Sequence, residues 1–322
     1  MAQIPVIDIG PIFGPDGKDK QTSGHQVREA VTRFGFLVAT GLPADFSRNG
    51  NLVQAINRFH DLPDEVKLSL ARQKFAPKNR NVLRGYFPVQ SDGIAQKEGI
   101  DISLHDQAWP RSDDILLEAN VWPSEDQAPG WHAAMLAYGA AAETVGYALL
   151  EALSSGFDLP PRDLAKQFRH GATTLRLLRY PSHPSEISHD QVEQGKAVEI
   201  NGDLYRLGTA PHTDSGCLTI LNALAAPGLQ VETEPGVWVN APTIDGTLII
   251  NIGDVMAFWS GQTYRATRHR VIAQSEERLS IPLFFEPGYD TEITAPDGTQ
   301  LNYADHLRDK LRNFTEFKGV KF

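Results

Sequence analysis

The sequence predicts a mainly β protein with flanking helices: a C-terminal antiparallel barrel or two-sheet sandwich, wrapped by a helical N-terminal half. Three observations predict it. After Gly171 the apolar segments become short and are separated by Gly, Pro, Asn and Asp, as at 217–223, 229–231, 237–240, 248–252, 255–258, 269–272 and 280–284; this is the punctuation of many-stranded β architecture. Before Gly171, apolar residues recur at intervals of three and four over helix-length stretches. No internal repeat and no linker rich in Pro, Gly or Ser divides the chain. One domain over 1–322 is therefore expected, with a helical half at 1–170, a β core at 171–300 and a closing helix at 301–322.

Taken in order, residues 4–9 read as a strand, rich in Ile and Val and stopped by Gly10-Pro11. Residues 14–24 are polar and read as a loop. Val27, Ala30, Val31 and Phe34 predict a helix over 25–34, ended by Gly35. A strand at 36–40, a helix at 47–60 and a new helix start at Pro63-Asp64-Glu65 follow. Glu98 opens a strand to 104. The Ala-rich stretch 130–156 predicts a long scaffold helix, and 162–168 a short one after Pro160-Pro161. Residues 173–181 form the first strand of the β region. Asn201-Gly202 marks a hairpin, and 303–318 a polar helix.

Composition narrows the function. The formal net charge of −10 disfavours a nucleic-acid or membrane-surface partner, both of which need a basic face. No apolar run of about 18 residues and no basic, then apolar, leader is apparent. A single cysteine, Cys217, precludes an internal disulfide and fits a reducing cytoplasm. The expected partner is a small-molecule substrate, and the expected state a monomer or weak homo-oligomer.

The chemistry concentrates between Pro211 and Pro282. On a strand, His212 and Asp214 point to one face, and a barrel can return His269 beside them. Two histidines and one carboxylate leave about three positions open on an octahedral metal, the pattern of non-haem Fe(II) oxygenases. The same donors also suit a hydrolytic zinc, but nothing in the sequence names a general base for it; Glu98, Glu143 and Glu286 are unplaced. Arg278 and Ser280 form a second i, i+2 pair able to bind a carboxylate; the alternative is a surface pairing of Arg278 with Glu276 or Glu286. Candidates for a substrate wall are Arg84, Tyr86, Arg176, Phe258, Trp259 and Phe285, each of which also suits a core position. In Arg84-Gly85-Tyr86-Phe87-Pro88 the glycine suits either a close approach to a ligand or a packed turn. Arg176 alternates with Leu175 and Leu177, and an inward arginine there would favour a carboxylated substrate.

At these residues the chain resembles the Fe(II)/2-oxoglutarate-dependent dioxygenases, specifically the isopenicillin N synthase-like group. Ile4-Pro5-Val6-Ile7-Asp8, Gly35-Phe36-Leu37, Thr40-Gly41-Leu42-Pro43, Arg84-Gly85-Tyr86 and 175–181 resemble family landmarks. So do His212-Thr213-Asp214 with Gly216, Asn251-Ile252-Gly253-Asp254, Trp259, His269-Arg270-Val271 and Arg278-Leu279-Ser280. The resemblance implies a double-stranded β-helix, or jelly-roll, core. It implies Fe(II) on His212, Asp214 and His269, and 2-oxoglutarate gripped by Arg278 and Ser280 with Tyr180 alongside, with O2 as the oxidant. The implied reaction is oxygenation, most simply hydroxylation, with release of succinate and CO2; oxidases without 2-oxoglutarate belong to the same group. Two departures stand out. Leu178 occupies a position where many members carry asparagine, and the segment 182–210 is long. That segment is expected to fold near the mouth of the site.

Overall fold

The structure, a computed structural model, describes residues 3–46, 49–90, 96–110, 113–157, 159–182, 187–224, 226–313 and 317. Its α-helices are α1 (Lys18–Arg33), α2 (Asn49–His60), α3 (Asp64–Ser69), α4 (Trp131–Leu153), α5 (Pro161–Gln167), α6 (His189–Glu193), α7 (Asp254–Trp259) and α8 (Tyr303–Asn313). Its main strands are β1 (Val6–Asp8), β2 (Phe36–Thr40), β3 (Gly85–Phe87), β4 (Glu98–Ser103), β5 (Thr174–Tyr180), β6 (Ala197–Ile200), β7 (Asp203–His212), β8 (Leu218–Asn222), β9 (Leu229–Glu234), β10 (Val237–Asn240), β11 (Leu248–Ile252), β12 (His269–Ile272) and β13 (Arg278–Phe285).

The strands form two sheets, ordered β1-β2-β11-β8-β13-β5-β4-β3 and β10-β9-β12-β7-β6. Strands far apart in sequence are neighbours in both, as in a jelly roll. Between the sheets lies one apolar cluster, with Phe36, Leu178, Leu221 and Ile249 from the larger and Leu229, Val231 and Val271 from the smaller. A second cluster covers the outer face of the larger sheet, where Leu175, Leu177, Ile220, Leu283 and Phe285 meet Met135, Ala142, Val145 and Leu149 of α4. Each buried Val, Leu, Ile, Phe or Met here contributes roughly 1.5–3 kcal/mol. Gly146 permits the approach of α4: a Cβ there would lie 2.7 Å from the Phe285 ring.

The structure corrects several expectations. Helix α1 begins at Lys18, inside the expected loop 14–24, because its first turn faces solvent and carries no apolar period. Residues 255–258 lie in helix α7 rather than a strand; a run of four apolar residues suits either, and Gly253 with Asp254 supplies a helix start. The first 170 residues add four strands, β1 to β4, to the larger sheet. Residues 131–156 are long and apolar enough to cross a membrane by length and composition, contrary to the sequence reading, yet Trp131, Met135, Val145, Leu149 and Leu153 bury one face of α4 in the core. The segment 182–210 forms α6 and the β6–β7 hairpin, turned through Asn201 (φ 55°) and Gly202 (φ 90°), and leads straight into His212; residues 183–186 lie outside the described residues.

Candidate active site

Strand pairing brings the two histidines together. His269 on β12 lies directly across from His212 on β7, with ring centroids 4.2 Å apart. In both rings Nδ1 faces a backbone carbonyl two residues back, Ala210 O at 2.8 Å and Thr267 O at 3.1 Å. That contact turns each Nε2 toward Asp214 Oδ1, at 3.5 and 3.6 Å. The other carboxylate oxygen, Oδ2, accepts from Thr219 Oγ1 (2.5 Å) and Asn251 Nδ2 (2.7 Å). One donor atom per residue thus remains, and the three lie within 4.8 Å of one another. Imidazole nitrogens fixed through their far side and a carboxylate oriented by hydrogen bonds are the arrangement a divalent metal needs. Burial works against charge on Asp214, but His269, His212 and Thr219 hold its carboxyl far below the ordinary range. Burial lowers His269, favouring the neutral, ligating imidazole.

The loop carrying Asp214 is braced from behind. Asp254 N donates to Asp214 O and Gly253 N to Cys217 O, both at 2.8 Å. Glycine is required on both sides: a Cβ on Gly253 would sit 2.2 Å from Gly216 O, and one on Gly216 would strike the Glu286 carboxylate. Glu286 accepts from Cys217 N (2.8 Å) and Tyr303 Oη (2.7 Å), and burial pushes its carboxyl up to about 8. Helix α8 adds two more holds, His306 Nε2 donating to Ser215 O (2.9 Å) and Lys310 Nζ to Asp254 Oδ2 (2.8 Å).

Arg278 is 4% exposed, and its Nε and Nη1 have no hydrogen-bond partner. It makes no ion pair among the described residues, with Glu276, Glu286 or any other carboxylate. Burial depresses its basicity, so the charge is held at a cost. It faces Tyr180 across the β13–β5 ladder, 5.1 Å over the ring, and buried Ser280 faces Leu178 in the next inward row. Tyr180 Oη is 3.3 Å from Thr209 Oγ1, on the strand that ends at His212. A buried guanidinium with no carboxylate partner among the described residues, next to a serine hydroxyl, has the donors to bind a carboxylate.

The expected substrate wall divides. Arg176 does face inward: it forms a bidentate pair with buried Asp101 (2.6 and 2.8 Å), which also binds Arg72, and lies over the rings of Phe87 and Phe284. Arg84 is buried and held by Thr174 Oγ1, Tyr289 Oη and the Trp109 ring. The other four are corrected. Tyr86 donates to Glu98 and packs on Phe59 behind the sheet. Phe285 stacks on Phe168 under α4, and Trp259 packs on Phe168 and Phe157. Phe258 lies on α7 against the outer cluster. The inward aromatics are their neighbours Phe87 and Phe284. The three glutamates left open for a hydrolytic zinc are engaged elsewhere: Glu98 pairs with Arg179, Glu143 with His105, and Glu286 as above. The sequence reading missed Lys97, whose Nζ donates to Thr209 Oγ1 at 3.0 Å and lies 5.7 Å over the Tyr180 ring.

Comparison with known proteins agrees with this geometry. A profile of the 2OG-Fe(II) oxygenase superfamily matches residues 171–287, and one for the N-terminal region of non-haem dioxygenases in morphine synthesis matches 4–125. Isopenicillin N synthase of Streptomyces clavuligerus is 27% identical over 97% of this chain and 95% of its own. The 2-oxoglutarate-dependent dioxygenase tropC of Talaromyces stipitatus is 28% identical over 96% and 94%. In fold, a full-length Neurospora crassa protein crystallised with alpha-KG and 5-formyluracil superposes with a TM-score of 0.79 at 24% identity, covering 95% of each chain.

Proposed function

Because the chain belongs to the 2OG-Fe(II) oxygenase superfamily, in its isopenicillin N synthase-like group, we propose that it hydroxylates a small organic molecule with Fe(II), 2-oxoglutarate and O2. The balanced change is R–H + 2-oxoglutarate + O2 to R–OH + succinate + CO2. Arg278 carries this reading: a buried cation without a carboxylate, joined through Tyr180 and Thr209 to the strand of His212, is best explained by an anionic co-substrate.

His212, Asp214 and His269 would hold the iron, which when bound supplies the O2 activation. The protein does the rest. The carbonyls of Ala210 and Thr267 fix the two imidazoles, and Thr219 and Asn251 keep Asp214 Oδ1 aimed at the metal. Arg278 and Ser280 would orient 2-oxoglutarate through its distal carboxylate, with the Tyr180 hydroxyl beside them. Phe87, Phe284 and Arg176 would form the wall that positions the prime substrate and excludes water. Arg176 faces inward and is held by Asp101, and an inward arginine there would favour a substrate with anionic or hydrogen-bond-accepting character.

The likeness to isopenicillin N synthase supports a second reading, an oxidase that needs no 2-oxoglutarate. Anaerobic titration with 2-oxoglutarate, then measurement of succinate formed per O2 consumed, separates the two. Binding and stoichiometric succinate support hydroxylation; turnover without succinate rejects it.

A further inference from the structure

The cations around the start of β4 and the end of β5 fall into two groups. Lys67 pairs with Asp64 and Glu98, Arg72 and Arg176 with Asp101, and Arg179 with Glu98 and Asp61. Each has a carboxylate. Arg278 and Lys97 have none among the described residues. Lys97 instead gives its hydrogen bond to a neutral hydroxyl, Thr209 Oγ1.

These two cations occupy one row. In the β13–β5 ladder Arg278 faces Tyr180, and in the β5–β4 ladder Glu98 faces Arg179. Lys97, one residue earlier, therefore continues the register opposite Tyr180. The Tyr180 ring lies between the two charges, 5.1 Å from the Arg278 guanidinium and 5.7 Å from the Lys97 ammonium. Thr209 ties the row to the metal-bearing strand through both Lys97 and the Tyr180 hydroxyl. Burial alone would raise Tyr180, yet Lys97 and Arg278 together bring its hydroxyl below the ordinary value, so both charges act on the same spot.

Neither charge has a carboxylate among the described residues, and Arg278 is also buried, so its charge is held at a cost. A carboxylate bound beside the Tyr180 ring would be attracted by both. Resting on the co-substrate reading above, we propose that Lys97 is a second anchor for 2-oxoglutarate, supplying with Arg278 the two charges that select a dicarboxylate over a monocarboxylate.

The test measures anaerobic binding of 2-oxoglutarate and of 2-oxopentanoate, its counterpart without the distal carboxylate, to the Mn(II)-loaded full chain. Lys97→Met is expected to weaken 2-oxoglutarate by on the order of 10-fold or more, the loss of one charge-assisted contact, and to leave 2-oxopentanoate unchanged. Lys97→Arg is expected to retain dicarboxylate preference, and the melting temperature without ligand reports whether either variant is misfolded. Should Lys97→Met bind 2-oxoglutarate as tightly as the parent while Arg278→Met does not, Lys97 is no anchor and the oxygenase reading stands. Should the parent bind Mn(II) but no 2-oxoglutarate, the oxygenase reading fails and the Lys97 proposal with it.

Discussion

Asn251 donates from Nδ2 to Oδ2 of Asp214 across 2.7 Å, and so decides which carboxylate oxygen is left for a metal. Thr219 holds the same oxygen. Asn251→Ala is therefore expected to weaken Fe(II) or Mn(II) binding by about 10- to 100-fold, the usual effect of losing a group that orients a ligand, with little change in fold. Asp214→Ala should abolish metal binding altogether. Metal titration of both variants checks the pair, and full activity in Asp214→Ala would reject the ligand set.

Arg278→Met should raise the Michaelis constant for 2-oxoglutarate on the order of 100-fold, the loss of a bidentate charged contact, while metal affinity is retained. An unaltered 2-oxoglutarate dependence would remove Arg278 from the co-substrate site.

Two adjacent phenylalanines give opposite expectations. Phe285 is fully buried against Phe168 and Gly146, so Phe285→Ala should cost about 3–5 kcal/mol of stability. Phe284, half-buried and lying on Arg176, should when changed to Ala alter substrate affinity more than melting temperature. Denaturant unfolding beside substrate kinetics distinguishes them; equal stability losses would place Phe284 in the core instead.

Glu286 gives a pH prediction. Burial raises its carboxyl from 4.5 to about 8, so between these values the folded protein keeps a proton that the unfolded chain has released. Its contribution is complete below pH 4.5 and declines as pH rises toward 8, with a maximal slope of about 1.4 kcal/mol per pH unit. Glu286→Gln cannot titrate, and its stability curve should be flatter over that window; parallel curves for the two proteins would refute the assignment.

What was legible in the sequence was what chemistry fixes locally. His212 and Asp214, and Arg278 and Ser280, stand two apart, and a strand puts such pairs on one face whatever its partners are. The alternation of short strands and turns gave the two-sheet class for the same reason. Parity against a paired strand was not legible: choosing between Tyr86 and Phe87 requires the register of β3 on β4, itself set on β5 more than 70 positions on, and choosing between Phe284 and Phe285 requires that of β13 on β5. Lys97 carried no signal either, because what distinguishes it is the lack of a carboxylate neighbour among the described residues. Helix α7 was misread since an apolar run of four has no period.

The hold of α8 on the Asp214 loop has a consequence for biosynthesis. His306, Lys310 and Tyr303 follow every candidate ligand in the chain. During synthesis the two histidines and the aspartate leave the ribosome before the helix that steadies their loop. Tight metal binding by these residues is therefore expected only once residues 303–313 have been made and have docked on the Asp214 loop. A chain stopped before Tyr303 is expected to bind Mn(II) at least about 10-fold more weakly than the 1–322 chain, and the isolated 303–313 peptide, added back, to restore part of that affinity.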